Sequence, residues 1–136
     1  MNTTIIDMPQ ISDPRRGCLT YGGADHGLPF VPRRYFLIHS VPPGKARGDH
    51  AHRECAQFIV CAHGSCRVTL DDGLKRHDIP LHRPERGVLV PPLTWVSVQL
   101  RTADSVLLVL ASHGYEEKDY IRDYSEFLQL IQHRRP

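Results

Sequence analysis

The stretch Gly44-Lys-Ala-Arg-Gly-Asp-His-Ala-His-Arg-Glu-Cys-Ala-Gln57, closed by Gly64, decides the fold of this chain. The motif has a glycine, five residues, His-x-His, four residues, a single position occupied here by Gln57, six residues and a final glycine. This spacing is typical of a metal-binding β-barrel. Such barrels have an acid at the single position, and Gln57 stands there instead. His50 and His52 are therefore either incomplete metal ligands or imidazoles that are free to move protons.

Strand geometry predicts where these side chains point. Residues two apart on a β-strand face the same side of the sheet. We therefore expect His50 and His52 to enter the barrel together, while Ala51 faces the opposite layer. Gln57, on the next strand, is expected to face the same interior. Asp49 alternates away from the histidines in a regular strand, so we assign it no catalytic role.

The set of donor groups is poor for a metal. A fourth ligand is expected near residue 95 or 96, where the chain has Trp95 and Val96, neither of which binds a divalent ion. Gln57 brings no charge, whereas divalent metals at such sites favour histidine combined with carboxylate. We predict no metal and no other cofactor. Histidine titrates near neutrality, so His50 and His52 suit general acid–base catalysis.

Bulk composition excludes several classes of protein. The 136 residues are expected to form one domain, 1–136. A net charge of +2, from 17 basic and 15 acidic residues, is too balanced to indicate a nucleic-acid or membrane partner. Without a secretion signal or an apolar run of roughly 18 residues, we expect a cytoplasmic protein. The four cysteines are expected to be reduced thiols in or near the core.

Hydrophobic runs between prolines and glycines predict an all-β fold. The predicted strands are 34–41, 55–62, 66–70, 87–90, 94–100 and 105–111, and several are rich in β-branched residues. Asp71-Asp72-Gly73 has the chemistry of a hairpin turn. Ser125 is expected to cap a short helix that places Phe127 and Ile131 on one face. The pattern predicts a β-sandwich or barrel with a small C-terminal helix.

Several blocks of sequence together resemble one enzyme family, the cupin-fold 3,4-ketoisomerases that act on thymidine-diphosphate (dTDP)-4-oxo-6-deoxyglucose. The resemblance runs from about residue 5 to residue 128. Most of its weight lies in two blocks, Arg47-Gly-Asp-His-Ala-His52 and Asp119-Tyr-Ile-Arg-Asp-Tyr124. Pro91-Pro-Leu-Thr-Trp95 and Leu70-Asp-Asp-Gly73 add to it.

The resemblance implies both a fold and an activity. The fold is a cupin, a double-stranded β-helix or jelly-roll barrel, assembled as a homodimer with exchange of the N-terminal strand. The activity is metal-independent transfer of a ketone from C4 to C3 of a dTDP-linked 4-keto-6-deoxy sugar, through an enediol, in deoxy- and amino-sugar biosynthesis. The family's catalytic histidines correspond to His50 and His52, and we assign His52 as the main base.

The substrate implied by the resemblance also suggests binding residues. A diphosphate must meet arginines, and the first candidates are Arg34 and Arg47. Trp95 is the candidate face for thymine, and Gln57 a hydrogen-bonding partner for substrate or histidine. Tyr35 is a further binding candidate, although family members have their aromatic one position later. Two weaker candidates for the diphosphate are Arg33 and Arg86.

Three other functions share some of these features. A sugar-nucleotide 3,5-epimerase has the same fold and also abstracts a proton, but it acts at C5. A metal-dependent cupin enzyme requires a bound ion on His50 and His52. A non-catalytic sugar-nucleotide-binding module binds ligand and exchanges no hydrogen. The configuration of the product at C4 is not fixed by the sequence.

Overall fold

A computed structural model describes residues 3–134, which fold into two facing antiparallel sheets. The strands are β1 Thr4–Asp7, β2 Gln10–Asp13, β3 Gly17–Thr20, β4 Arg34–His39, β5 Ala46–His52, β6 Gln57–His63, β7 Cys66–Asp71, β8 Arg76–Leu81, β9 Arg86–Val90, β10 Trp95–Leu100, β11 Val106–Ala111 and β12 Tyr120–Ile121. A 3₁₀ turn, Glu117–Asp119, precedes β12, and one helix, α1 Tyr124–Arg134, follows it. The all-β cupin class predicted from the sequence is confirmed.

Each large sheet has five strands. The first has the order β1-β9-β6-β11-β4, and the second has the order β12-β5-β10-β7-β8. β2 and β3 form a separate hairpin. β1 is an edge strand that pairs with β9 of its own chain. The last turns of the chain return to β5, because β12 pairs there with Tyr120 opposite His52.

The core lies between the two sheets, where every second side chain points inward. On β10, for example, Val96, Val98 and Leu100 are buried, and on β11 Leu107 and Val109 are buried against them. This two-residue period is the one that the sequence pattern predicts for a half-buried strand. Truncating such a fully buried Leu to Ala costs about 2–5 kcal/mol. The sandwich is therefore a rigid support for groups at its open end.

β5 contains a bulge that the regular alternation did not predict. Gly48 and Asp49 both have positive φ, 93° and 51°, and Asp49 is the extra residue between two cross-strand pairs. These pairs join Val96 to His50 and Ser97 to Gly48, and Val98 follows opposite Arg47. Val96 and Val98 face the interior, and cross-strand partners share a face. The bulge therefore brings Arg47 to the same face as His50, which an unbroken strand would not do.

Helix α1 packs on the outer face of the second sheet. Phe127 is fully buried against Ala51 and Ile121, so Ala51 does face the opposite layer as expected. The predicted cap was wrong by two residues. Asp123, not Ser125, caps the helix, because its Oδ1 accepts the backbone N–H of Ser125 at 2.9 Å. Asp is as good an N-cap as Ser.

Other local predictions have mixed outcomes. Each of the six predicted strands is present with ends shifted by at most two residues, but β1, β2, β3, β8 and β12 were not predicted. The turn after β7 forms as expected, with Gly73 at φ 93° and its N–H donating to Asp71. All four cysteines are free thiols, and three are buried. Cys18 is exposed on β3, so its placement near the core was wrong.

Candidate active site

His50 and His52 project side by side at one end of the barrel, as their spacing predicted. Their rings are perpendicular, with centroids 4.9 Å apart. Gln57 is buried on β6 and faces the same interior, with its Nε2 at 3.4 Å from Nε2 of His52. The two histidines and the amide therefore form one cluster.

His52 is held by a carboxylate from a distant part of the chain. Its Nδ1 lies 2.8 Å from Oδ2 of Asp119, at the end of the 3₁₀ turn. A carboxylate only accepts, so Nδ1 carries the proton and Nε2 keeps its lone pair. The Gln57 amide can donate to that lone pair. Asp119 thus fixes the tautomer of a candidate base, and the sequence analysis, which treated Asp119 as no more than family motif, had missed this.

The carboxylate of Asp119 is itself well anchored. Its Oδ1 accepts the backbone N–H of Glu54 at 2.7 Å, and its Oδ2 accepts that of Cys55 at 3.3 Å. Burial alone would raise the pKa of Asp119, but the two N–H groups and the His52 ring together lower it below its usual value. Asp119 is therefore ionised near neutrality and supports a positive charge on His52.

His50 presents a different arrangement. Its Nδ1 lies 3.0 Å from the carbonyl oxygen of Gly48, which can only accept, so Nδ1 again carries the proton. Its Nε2 is buried and has no hydrogen-bond partner among the described residues. An unpartnered buried acceptor is costly in a folded protein. The lone pair of His50 is consequently available to a ligand.

Both imidazoles are neutral near pH 7. Burial lowers the pKa of His52 to about 4, although the hydrogen bond to Asp119 works in the opposite direction. Burial also lowers the pKa of His50, against the effect of the Gly48 carbonyl. Neutral rings with unprotonated Nε2 atoms are in the state that accepts protons.

Tyr120 covers the two histidines. Its ring centroid lies 5.1 Å from that of His50 and 4.3 Å from that of His52. Its hydroxyl accepts a hydrogen bond from Nη1 of Arg34 at 3.4 Å, and the guanidinium of Arg122 stacks on its ring at 4.3 Å. His52 is only 4% exposed. A substrate therefore meets His50 first and reaches His52 behind it.

A cavity of about 400 Å³ opens directly in front of this cluster. Its wall includes His50 and Tyr120, and its charged lining residues are two cations, Arg47 and Arg122, and one carboxylate, Asp49. Arg34 adds a third guanidinium nearby, and its buried Nε has no partner among the described residues. Three guanidinium groups against one carboxylate give an excess of positive charge beside the neutral His50, which suits an anionic substrate.

The inner side of the histidines does not fit a metal. The donors there are two imidazole Nε2 atoms and the amide of Gln57, and Val96 occupies the place of a fourth ligand, buried in the core. Divalent ions at such sites favour histidine combined with carboxylate, and neither an amide nor a valine supplies that charge.

Several predicted binding residues are not brought to the cavity. Tyr35 lies on the outer face of β4 and is 68% exposed, because it alternates with Arg34. Trp95 also faces outward, where its ring packs on Tyr124 and Phe127 of α1. Arg86 pairs with Asp7 of β1 at the end of β9 that is remote from Gln57.

The positions of Arg33 and Gln57 also bear on their predicted roles in substrate binding. Arg33 is exposed, and the contact it makes in the structure is a backbone hydrogen bond to Ala111. Gln57 is 2% exposed and lies against His52, so it orients the histidine rather than meeting a nucleotide base. Tyr120 and Arg122, which the sequence analysis did not assign to the site, belong to the block Asp119-Tyr-Ile-Arg-Asp-Tyr124. The repeated polar–aromatic pattern of this block was the feature of the sequence from which their place in the site could have been predicted.

The jelly-roll barrel with two histidines at its mouth places the chain in the cupin fold class. The family model described as FdtA, WxcM-like, C-terminal matches residues 1–132. The TDP-4-oxo-6-deoxy-alpha-D-glucose-3,4-oxoisomerase of Aneurinibacillus thermoaerophilus is 38% identical over 131 residues, covering 96% of this chain and 94% of the relative. The chain belongs to the FdtA family, and it is an isomerase of the 3,4-ketoisomerase class.

Solved structures agree with this assignment. A 3,4-ketoisomerase from Helicobacter canadensis superposes with a TM-score of 0.91 at 35% identity, covering 97% of this chain and 98% of that one. A sugar 3,4-ketoisomerase from Thermoanaerobacterium thermosaccharolyticum, in complex with TDP, gives 0.90 at 34% identity, covering 98% and 96%. The resemblance inferred from the sequence is confirmed.

Proposed function

We propose that this isomerase converts TDP-4-oxo-6-deoxyglucose into a TDP-3-oxo-6-deoxyhexose, with His52 and His50 as its proton carriers. The observation that carries the proposal is the hydrogen bond from Nδ1 of His52 to Asp119, which leaves the Nε2 lone pair facing the barrel interior. The A. thermoaerophilus relative is named for the same conversion. A variant of the T. thermosaccharolyticum enzyme was solved with TDP-4-keto-6-deoxyglucose, at 33% identity.

The first step removes the proton from C3 of the sugar. Nε2 of His52 accepts it, and the electrons of the C3–H bond move to give an enolate oxygen at C4. The imidazolium that forms is paired with the Asp119 carboxylate 2.8 Å away. A positioned base of this kind contributes about 10²–10⁴-fold in rate. The buried Nε–H of Arg34, which lacks a partner among the described residues, is the proposed donor to the enolate oxygen.

The second half of the reaction moves the carbonyl. Nε2 of His50 takes the proton of the C3 hydroxyl and delivers it to the C4 oxygen. His52 then returns its proton to C4, and the C3–O bond becomes the ketone. Every proton is returned, so both histidines end in their starting state. His50 suits this role because its Nε2 lies at the cavity wall and has no competing partner in residues 3–134.

The diphosphate is proposed to bind the cationic rim. Arg47 and Arg122 line the cavity, and Arg122 is held in place by two hydrogen bonds to Glu117. Guanidinium groups match phosphate oxygens in a bidentate geometry. We assign Arg47 and Arg122 to the diphosphate and Arg34 to the sugar. This adds Arg122 to the cations predicted from the sequence.

A homodimer is also proposed, with exchange of the N-terminal strand between subunits. The outer face of the first sheet exposes Tyr35 and Leu37, and the N-terminal strands expose Ile5, Ile11 and Leu19. Large exposed apolar patches mark protein interfaces. β1 is an edge strand, so the same strand of a second copy can take its place on β9. A cytoplasmic location stays a prediction, and no helix among residues 3–134 is long and apolar enough to cross a membrane.

The dimer has a simple test in solution. Leu37→Asp places a charge in the exposed apolar face and is expected to give a monomer by light scattering after size exclusion. Leu74→Asp is the matched control, because Leu74 is 73% exposed in the turn between β7 and β8. It is expected to leave the dimer intact. Dimers of equal stability for both variants would overturn the proposed interface.

The catalytic proposal is tested with His50→Asn and His52→Asn and with TDP-4-oxo-6-deoxyglucose in deuterated water. Product NMR is expected to show loss of at least about 10²-fold in turnover for each variant. Wild-type enzyme is expected to exchange hydrogen at C3 and C4, whereas a 3,5-epimerase exchanges at C5. Full turnover in both variants, or exchange confined to C5, contradicts the proposal.

A further inference from the structure

A second cluster of metal-binding groups lies on the far edge of the His52 ring. A ring nitrogen of His52, Sγ of Cys55 and a carboxylate oxygen of Asp119 all lie within 4.8 Å of one another, and Nδ1 is the ring nitrogen that contacts Asp119. His52 and Cys55 are buried, and the side chain of Asp119 is 13% exposed. These atoms are distinct from the inner Nε2 atoms, which do not fit a metal.

We propose that this cluster is an inhibitory site for Zn²⁺, with His52, Cys55 and Asp119 as its protein ligands. Imidazole nitrogen, thiolate sulfur and carboxylate oxygen are the three donors that zinc takes in proteins, and three protein ligands with one water make a common set. The thiolate and the carboxylate together balance the charge of the ion. The occupied site is therefore neutral, whereas the empty site carries the negative charge of the ionised Asp119.

The geometry needs only a small adjustment. Zinc bonds to nitrogen and oxygen are roughly 2.0–2.2 Å long, which places two tetrahedral ligands roughly 3.4 Å apart. Nδ1 of His52 and Oδ2 of Asp119 are 2.8 Å apart, so the ion separates them by about half an ångström. His52 is fixed on β5, so Asp119 of the 3₁₀ turn makes this shift, at the expense of its hydrogen bonds to the backbone N–H groups of Glu54 and Cys55.

Cys55 has no other strong interaction to lose. Its Sγ donates to the carbonyl of Ala56 at 3.3 Å, and it accepts the hydroxyl of Ser112 at 3.8 Å. Both contacts are weak by the usual standards for sulfur. Its side chain takes no part in the proposed proton transfers. The sulfur is therefore available as a ligand, and binding of an ion displaces the thiol proton.

Binding of zinc would switch off the base. A neutral imidazole that ligates through Nδ1 must carry its proton on Nε2. The proton therefore moves from Nδ1 to Nε2, and the lone pair that accepts the C3 proton disappears. Asp119 loses its hydrogen bond from Nδ1 of His52 at the same time. The loss of activity rests on the proposed role of His52 as the base, whereas binding of the ion does not depend on that role.

Binding is tested with Co²⁺ alone, a spectroscopic substitute for zinc. Wild-type protein is expected to show a thiolate-to-cobalt charge-transfer band that saturates at one ion per chain. Cys55→Ser and Cys55→Ala are expected to lose the band and to bind at least about tenfold more weakly. Cys18→Ser is the control, since Cys18 is an exposed thiol on β3. No band in wild type, or an undiminished band in both Cys55 variants, overturns the site.

Inhibition is tested separately with Zn²⁺ and a chelator. Wild type and Cys18→Ser are expected to lose turnover at stoichiometric zinc and to recover it with EDTA. Cys55→Ser is expected to keep its basal turnover and to resist zinc by about tenfold. Equal inhibition of all three proteins contradicts the proposal. A cobalt band without inhibition keeps the ion site but contradicts both the switch and the assignment of His52 as base, so the two proposals fail in distinguishable ways.

Discussion

Nδ1 of His52 donates a hydrogen bond of 2.8 Å to the carboxylate of Asp119, which lies 67 residues further along the chain. The strand pairing brings them together, because Tyr120 of β12 stands opposite His52 of β5. The carboxylate is anchored by two backbone N–H groups before it meets the ring. A histidine positioned in this way has one tautomer and one orientation, and its imidazolium is stabilised. Asp119 is a positioning residue for the proposed base.

Replacing Asp119 by Asn is expected to lower kcat by about 10²-fold, within the range of a positioned base. The amide offers an N–H as well as an oxygen, so the His52 ring no longer has a single tautomer, and the ionic support of its imidazolium is lost. If Asp119 had only a structural role, the pH profile of activity would be unchanged. In this variant the acid limb of the profile is expected to move to lower pH, because Asp119 raises the pKa of His52. Unchanged kcat in a folded Asp119→Asn protein would contradict the role.

The pH dependence of kcat/KM is expected to place its acid limb well below the ordinary range of histidine. Burial lowers the pKa of His52 to about 4, from the ordinary histidine value of 6.5. The neutral base is therefore present above about pH 5 and is lost as the pH falls through 4. Because kcat/KM reports the free enzyme, steady-state rates from pH 3.5 to 8 measure it. A limb at pH 6.5 or above would show that His52 is not the buried group described.

The same pKa bears on stability. The folded-state pKa of His52 lies below the value in an unfolded chain, so protons bind the unfolded state better between about pH 6.5 and 4. Stability from the neutral ring is thus present above pH 6.5 and is lost as the pH falls through 4. Urea unfolding across this window is expected to show a decline that His52→Asn reduces. An identical decline in both proteins would contradict this contribution.

Much of the fold follows from short-range patterns. The alternation on β10 and β11 and the Asp71-Asp72-Gly73 turn contain enough local information to place strands and a hairpin. β1, β2 and β3 were missed because they are short and largely exposed. They lack the two-residue hydrophobic period from which buried strands are predicted.

The site was only half predictable, for a physical reason. His50, His52 and Gln57 lie close in sequence, so strand geometry brings them together. Asp119 and Tyr120 reach the same place through the long return of the chain to β5, which no local pattern encodes. Trp95 was assigned to the substrate from its chemistry, but alternation with buried Val96 turns it outward under α1.

Trp95→Phe tests that correction. The indole packs at 5.2 Å from the ring of Tyr124 and at 5.6 Å from that of Phe127, so the smaller ring leaves a gap. The free energy of unfolding is expected to fall by about 1–2 kcal/mol, while KM stays within about twofold. Urea unfolding and initial rates measure the two quantities. Arg47→Ala is the comparison, and it is expected to show the opposite pattern, a raised KM with unchanged stability. A raised KM in Trp95→Phe would mean that Trp95 does contact the substrate.

Gly48→Ala tests whether the bulge of β5 aligns the site. Gly48 has φ 93°, and a Cβ there would lie 3.1 Å from the carbonyl oxygen of Val96. The positive φ alone costs roughly 1–2 kcal/mol for a residue with a side chain. Relief of the strain moves the strand that presents Arg47 and His50, so kcat/KM is expected to fall by about tenfold or more, since misplacement by an ångström is costly.

The matched control for the bulge is Gly44→Ala. Gly44 also has positive φ, 83°, but no atom lies within 4 Å of its added Cβ. It is therefore expected to lose similar stability and to keep its activity, because it lies outside β5 and touches no site residue. Unfolding in urea gives the stability of each variant, and rates measured well below the denaturation midpoint give kcat/KM. Equal losses of activity in both variants would mean that backbone strain in general, and not the Gly48–Asp49 bulge, accounts for the effect.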